Sequence, residues 1–173
     1  MRTRFPVVMI AGFVLFGCGG ERRDQAAGDT GTTDATAMAS VEVCALLTSP
    51  EIQTALSWTP DSTAGQSYGT TGSCTFFGPN TMQQVSLLVG QGMPDMSSSA
   101  AMATWRSEQY TEYKVTDAIV KSLDGLGVPA IQNEYGGLMT IEMAVGSQLV
   151  SVSSLATVEQ MRSIASVVLG RLR

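Results

Sequence analysis

Alternation between apolar and polar residues is clearest in the last third of the chain. In the stretch 138–145 every second residue is apolar, which predicts a strand with one buried face. Gly136-Gly137 just before it is typical of a two-residue hairpin turn, and Gly146-Ser147 after it predicts a second one, so 130–135 and 148–153 are predicted to be neighbouring strands. The residues of the predicted buried face are Met139, Ile141, Met143 and Val145.

Apolar residues three and four positions apart predict a helix at the end of the chain. Thr157 followed by Gln160 has the spacing of a capping box, as do Thr48 and Glu51, so a helix is predicted to begin at each site. A third helix is predicted over 100–110. The apolar stripe of the last helix consists of Val158, Met161, Ile164, Ala165, Val168 and Leu172.

The remaining stretches complete the predicted sheet. Short apolar runs at 74–77 and 83–89 predict two strands, and the ambiguous stretch 114–123 is predicted to be a strand followed by a turn. The stretch 59–73 is rich in Gly, Ser and Thr and predicts a loop or an irregular edge. We therefore predict a single α+β domain, in which about three helices cover an antiparallel sheet of five to six strands.

The chain begins with a short basic segment and an apolar run. Arg2 and Arg4 precede about a dozen apolar residues, fewer than the roughly 20 needed to span a bilayer, so a secretory signal is predicted. The run ends at Leu15-Phe16-Gly17-Cys18, which fits a lipobox, although Phe16 is bulkier than usual. We predict a lipoprotein signal peptide over 1–17 and lipidation of Cys18; the alternative is a buried free cysteine in an apolar helix.

The lipid on Cys18 would be a covalent diacylglyceryl group with acyl chains such as palmitate, which together hold a protein on a membrane. Residues 18–40 contain almost nothing to bury and are predicted to be a disordered tether before a folded domain over 41–173. We expect a membrane-anchored, extracytoplasmic location in the cell envelope. The residue after the lipidated cysteine is Gly19 and not Asp, which by resemblance to known sorting signals favours the outer membrane if the host has two membranes.

Net charge argues against one class of partner. The first 17 residues hold Arg2 and Arg4 and no acid, so the chain from Cys18 has 8 basic and 15 acidic residues, a net charge near −7. This charge opposes binding to nucleic acid.

Two cysteines remain after lipidation. Cys44 and Cys74 would meet an oxidising environment in an exported protein, so we predict a structural disulfide between them. Redox catalysis is the rival interpretation, but the sequence has no CxxC motif.

Catalytic and metal-binding patterns are weak. Histidine is absent, which excludes a Ser-His-Asp triad and leaves few ligands for zinc. Met93-Pro94-Asp95-Met96, with Met102, could offer thioethers to Cu(I), but a flexible loop or core packing is the stronger expectation. Gly90-Gln91-Gly92 and Gly125-Leu126-Gly127 lack the remaining residues of phosphate-binding loops and are predicted to be turns. We predict no metal, no cofactor and no catalytic residue.

Acidic and aromatic residues leave two further hypotheses open. Two carboxylates could form the catalytic pair of a glycosidase, but nothing in the sequence places two of them close together. We therefore expect the acidic residues to lie on a solvated surface. The acids concerned are Glu108, Glu112, Asp117 and Glu142. An apolar cleft for a small ligand could be lined by Trp58, Tyr68, Phe76, Phe77, Trp105, Tyr110, Tyr113 and Tyr135, although most are expected in the core.

The order of these motifs resembles a family of uncharacterised bacterial lipoproteins, best known from actinobacteria. That family follows a C-x-L-L-T, C-T-W and G-L-G-x-x-A pattern after its lipobox. Its counterparts in this chain are Cys44-Ala45-Leu46-Leu47-Thr48, Cys74-Thr75-Phe76 and Gly125–Ala130, with Phe76 in place of Trp and Val128-Pro129 in place of an acidic turn. The resemblance implies a PsbP-like α/β sandwich, a Cys44–Cys74 disulfide and no catalytic residues.

These observations together predict a lipid-anchored envelope protein that is not an enzyme. Its expected partners are the membrane, through the anchor, and either a small apolar or envelope-derived ligand or an envelope protein. The alternative is an envelope hydrolase with an unrecognised carboxylate or Ser/Lys site.

Overall fold

The computed structural model describes residues 43–173, and within that range it contains a short 3₁₀ helix, three α-helices and seven β-strands. The predicted signal peptide, Cys18 and the whole of the predicted tether lie outside the described residues. The helices are the 3₁₀ helix (Val43–Leu46), α1 (Ser49–Leu56), α2 (Ser99–Glu112) and α3 (Val158–Leu172). The strands are β1 (Ser62–Tyr68), β2 (Thr71–Phe77), β3 (Gln84–Gln91), β4 (Ile119–Ser122), β5 (Ala130–Tyr135), β6 (Leu138–Val145) and β7 (Gln148–Ser154).

All seven strands form one antiparallel sheet in the order β1-β2-β3-β7-β6-β5-β4. Hairpins connect most neighbours, whereas β3 and β7 pair across a long segment of chain that holds α2. The predicted α+β class and single domain are confirmed. The predicted number of strands, five to six, is wrong, because the described sheet has seven.

The additional strand is β1, which lies within the stretch 59–73 predicted to be a loop or irregular edge. Every residue of β1 is exposed, so the strand has no buried face and no alternation of apolar and polar residues. Its pairing with β2 runs from Ser62 opposite Phe77 to Tyr68 opposite Thr71. Backbone pairing to a buried neighbour therefore makes β1 a strand, and side-chain periodicity could not reveal it.

Both predicted capping boxes are present. The backbone N–H of Thr48 donates to the Glu51 carboxylate at 2.8 Å, and the backbone N–H of Thr157 donates to the Gln160 side-chain oxygen at 3.0 Å. The backbone N–H of Gln160 in turn donates to the Thr157 hydroxyl at 3.4 Å. These bonds satisfy backbone groups that have no partner within the first turn of a helix, which is why α1 and α3 begin where predicted.

Helices lie on both faces of the sheet. The 3₁₀ helix, α1 and α3 pack on the face that holds the larger core, and α2 packs over β4 and β5 on the other face. In β6, Met139, Ile141 and Met143 enter the larger core as predicted, while Glu142 and Ala144 face α2. Four residues of the stripe predicted for α3 are buried, namely Met161, Ile164, Ala165 and Val168. The other two, Val158 and Leu172, are partly buried against the same core, and Leu169 is a buried residue outside the predicted stripe.

A disulfide between Cys44 and Cys74 joins the 3₁₀ helix to β2, as predicted, with 5.1 Å between the two Cα atoms. The two residues are 30 positions apart, and closing a loop of that size contributes about 3–4 kcal/mol in the chain-entropy model. The edge strand β1 runs close to this disulfide. A Cβ atom at Gly65 would lie 3.0 Å from the Cys44 sulfur, so glycine permits the approach.

Candidate functional site

A cluster of four polar side chains lies between α2 and the sheet. Arg106 and Tyr110 are four residues apart on α2, so both lie on the same side of that helix. Asn133 on β5 and Glu142 on β6 face them, and these two residues are only 4% and 5% exposed. Buried polar groups on an otherwise apolar strand face are uncommon, so the cluster is the first candidate for a functional site.

Hydrogen bonds connect the cluster into one network. The Arg106 guanidinium donates from Nη2 and Nε to Oε2 of Glu142, at 2.6 and 3.2 Å. Asn133 Nδ2 donates to the other oxygen, Oε1, at 2.9 Å. The Tyr110 hydroxyl donates to Asn133 Oδ1 at 3.3 Å. Both carboxylate oxygens of Glu142 are therefore occupied by donors from within the protein.

Apolar and aromatic groups enclose the ion pair. The guanidinium carbon of Arg106 lies 4.8 Å from the centre of the Trp105 ring, and its Nη2 lies 3.9 Å from the Met93 sulfur. The Arg106 and Glu142 side chains are 20% and 6% exposed. Because burial of charge is costly, the pair persists through mutual attraction and the additional hydrogen bonds.

The environment of the cluster changes the acidity of Tyr110. Partial burial raises the pKa of this phenol above its ordinary value of 10.0; the Arg106 charge acts in the opposite direction, and the Glu142 charge raises it further. The phenol is thus held in its neutral form, in which its O–H can donate to Asn133.

This arrangement connects α2 to the sheet. The Glu142 carboxylate accepts from Arg106 and Asn133, and the Tyr110 hydroxyl donates to Asn133, so each of the four side chains is hydrogen bonded to another member of the cluster. The prediction that Glu142 belongs to a solvated surface is wrong. Its position between the buried Ile141 and Met143 was the one sequence signal for this site, whereas nothing marked Asn133.

The other predicted carboxylates lie elsewhere on the surface. Glu108 and Glu112 are exposed on the outer side of α2, where they line a shallow depression of about 650 Å³, and Asp117 is exposed in the following loop. A groove of about 480 Å³ between the end of α2 and β4 is likewise open to solvent. Among residues 43–173, no group of three or more His, Cys, Asp or Glu side chains is placed to hold a metal ion.

The methionines considered as Cu(I) ligands belong to a second, smaller core beneath α2. Met93 and Met102 are buried there and Met96 packs against them. The positively charged Arg106 lies next to the Met93 sulfur, which would oppose a bound cation. Core packing, one of the two expected roles, is therefore the one that the contacts support.

The predicted aromatic cleft is not assembled. Phe76 is buried in the larger core, Trp58 packs against that core, and Trp105 packs against the smaller one. Tyr68, Tyr113 and Tyr135 are 72%, 70% and 53% exposed and lie in separate parts of the surface. The prediction that most of these aromatics pack in the core is wrong, because these three and Phe77, which is 39% exposed, lie at the surface.

The two glycine pairs also differ from one another. Gly125 and Gly127 lie in a turn with φ of 90° and 72°, as predicted. Gly90 and Gln91 are instead the last residues of β3, so the prediction of a turn there is wrong.

One half of the α2 face carries no helix among the described residues. There the strands β2, β3, β7 and β6 present small hydroxyl side chains around Leu88, a large apolar residue that is 40% exposed in a central strand. Phe77, which is 39% exposed, lies on the same side of β2 at its end. The hydroxyl oxygens of Thr75 and Ser86 are 3.3 Å apart, and those of Thr140 and Ser153 are 2.9 Å apart. Neighbouring hydroxyls therefore form hydrogen bonds between strands. We call this surface the open face; it consists of Ser73, Thr75, Ser86, Leu88, Thr140, Ser151 and Ser153.

No helix within residues 43–173 is both long enough and apolar enough to cross a membrane. No family model and no curated protein matches the chain. Among solved structures, the chain is similar to a GTP binding regulator from Thermotoga maritima at 16% identity, with a TM-score of 0.33 over 69% of this chain and 88% of the other. A similarity at this level carries no argument about fold or function.

Proposed function

We propose that this protein is a lipid-anchored, extracytoplasmic domain without catalytic activity, and that it binds a protein of the cell envelope through its open face. The observation that carries the binding proposal is the exposure of Leu88. This leucine lies on β3, in the interior of the sheet, yet 40% of its surface remains accessible. A large apolar side chain in that position gains free energy when a partner covers it.

Export and anchoring are supported by the cysteines. Leu15-Phe16-Gly17-Cys18 fits a lipobox, and the Cys44–Cys74 disulfide suits an oxidising compartment outside the cytoplasm. The resemblance to actinobacterial lipoproteins agrees with both features.

A protein partner fits the described surface better than a small ligand does. Small ligands are usually enclosed in concave, mostly apolar cavities, whereas the grooves beside α2 are shallow and open. The open face is instead a broad sheet surface whose Ser and Thr hydroxyls could form hydrogen bonds at the rim of an interface centred on Leu88. The occupied Glu142 carboxylate supports a role without catalysis.

The anchor is tested by Cys18→Ser in the full chain. We expect loss of lipid labelling and release of the protein from the membrane fraction, because the thioether needs the thiol. The control is the double variant Cys44→Ser/Cys74→Ser, which keeps Cys18 and should keep the label. Labelling and membrane association that survive Cys18→Ser would refute the anchor.

The binding surface is tested by photo-crosslinking in the producing cells. A photoreactive residue at Ser73, next to Leu88 in the register, should form an adduct of defined mass with one envelope protein, and Leu88→Asp should abolish it. The same photoreactive residue at Ser163, exposed on α3, is the control and should form none. An adduct at Ser73 that Leu88→Asp leaves unchanged would refute the role of the open face.

A further inference from the structure

The sheet has two edges, and they differ in a way that bears on assembly. β4 is four residues long and carries Lys121, a charge of the kind that keeps edge strands from pairing with other chains. β1 is seven residues long and contains no charged residue and no proline. Within residues 43–173, β2 is its one neighbour, so the backbone groups on the outer side of β1 are available for hydrogen bonds.

We propose that β1 pairs antiparallel with β1 of a second copy of this chain, joining two seven-stranded sheets into one. This interaction goes beyond the proposed partner binding. A two-fold axis at Gly65, the central residue of β1, places each residue opposite a definite residue of the other copy. The opposed pairs are Gly65 with Gly65, Ala64 with Gln66, Thr63 with Ser67, and Ser62 with Tyr68.

The chemistry of this register is permissive. No charged side chain faces another, so the like-charge repulsion that prevents many edges from pairing is absent. All seven residues of β1 are exposed, and none needs to leave a buried position for pairing to occur. An antiparallel pair gains backbone hydrogen bonds along its whole length, as in recognition by β-strand addition.

The symmetry of the pair is also compatible with a shared membrane. Residues that oppose each other in an antiparallel pair lie on the same face, so the two-fold axis is perpendicular to the sheet. Both copies therefore keep α1, α3 and Val43 on one side of the joined sheet and their open faces on the other. Val43, the first described residue, thus lies on the same side in both copies, and anchoring of both chains would raise their effective concentration. This step rests on the proposed function; the pairing itself does not.

Sedimentation equilibrium of the detergent-solubilised full chain tests the pairing. The wild type should show a concentration-dependent dimer. Ala64→Lys/Gln66→Lys places like charges opposite each other twice per dimer and should raise the dissociation constant about tenfold or more. Ala64→Lys/Gln66→Glu places opposite charges at the same two contacts and should keep or strengthen the dimer. Ser122→Lys on β4 is the control and should behave as the wild type.

Several results would overturn the proposal. They are a wild type that stays monomeric at every concentration reached, a dimer indifferent to Ala64→Lys/Gln66→Lys, or equal loss in both double variants. Thermal unfolding of each variant is the control, because a variant that has lost the dimer but kept its fold still unfolds cooperatively. Cys18→Ser should still dimerise, so loss of the anchor and loss of the dimer are separate results that refute separate proposals.

Discussion

Arg106 and Glu142, 36 residues apart in the chain, form an ion pair of 2.6 Å between Nη2 and Oε2 that connects α2 to β6. Among the described helices, α2 is the one on its face of the sheet, and it packs there over a small core of five buried residues. Partly buried Ala103, Trp105 and Val120 extend this packing. The ion pair adds a polar contact between α2 and β6, and loss of one partner would leave a largely buried charge unpaired.

The first prediction concerns this pair. Glu142→Ala should lower the free energy of unfolding by about 2–3 kcal/mol, because it leaves Arg106 and Asn133 without their acceptor in a largely buried site. Urea denaturation measures the change. The double variant Arg106→Ala/Glu142→Ala should cost less than the sum of the two single variants, since it leaves no unpaired charge.

The matched control is the second ion pair, between Arg171 and Glu51, at 2.7 Å. Its side chains are 34% and 29% exposed, so solvent screens the interaction. Arg171→Ala should therefore cost at most about 1 kcal/mol. Equal losses for Glu142→Ala and Arg171→Ala would contradict the importance assigned to the pair beneath α2.

A second prediction follows from the phenol of Tyr110. Its pKa is raised in the folded protein above the value of 10.0, chiefly by burial, so the folded state retains a proton that the unfolded state releases. The stability that this group contributes is complete below pH 10 and is lost as pH rises through the folded-state pKa. Urea denaturation between pH 8 and pH 11 should show a steeper loss for the wild type than for Tyr110→Phe. Parallel pH profiles for the two proteins would refute the assignment.

The third prediction concerns the disulfide. Reduction, or Cys44→Ala/Cys74→Ala, should lower the free energy of unfolding by about 3–4 kcal/mol, because the unfolded chain regains the freedom of a loop of 30 residues. When the non-reduced protein is denatured in the presence of a thiol-labelling reagent, neither Cys44 nor Cys74 should be labelled. The reducing agent should leave the stability of the double variant unchanged, and a further loss on reduction would contradict this explanation.

The fourth prediction compares two glycines that differ in backbone conformation. Gly136 lies in the β5–β6 turn with φ of 58° and has no atom near its Cβ position, so Gly136→Ala should cost about 1–2 kcal/mol from backbone strain alone. Gly170 lies within α3, also in open space, and Gly170→Ala should raise stability by up to about 1 kcal/mol. The two changes should have opposite signs in thermal unfolding, and a shared sign would contradict the assigned backbone roles.

Local signals predicted most of the fold. Alternation in β6, the Gly136-Gly137 turn and the capping boxes at Thr48 and Thr157 depend on neighbouring residues, and the structure has each of them. The strand β1 escaped prediction because it carries no side-chain pattern. Its conformation depends on pairing with β2.

The candidate site was the harder part to predict. Glu142 interrupts an apolar strand, which is visible in the sequence, but its partners lie on other elements: Asn133 on the neighbouring strand, 9 residues away, and Arg106 on α2, 36 residues away. No spacing rule connects an arginine on a helix to a distant glutamate on a strand. The exposure of Leu88 was likewise hidden, since an apolar residue in a strand gives no sign of whether a helix covers it.

The sequence by itself determined the class of fold, the limits of most helices and strands, the cysteine pair and the expectation of a lipid anchor at Cys18. These features depend on local periodicity, on turn and cap chemistry, and on the number of cysteines. The tertiary structure alone decided the side of the sheet on which α2 packs, the burial of Glu142 and the half of the sheet left open around Leu88. The physical reason is that such features depend on which distant surfaces meet, and side-chain periodicity within one element carries no information about its partner.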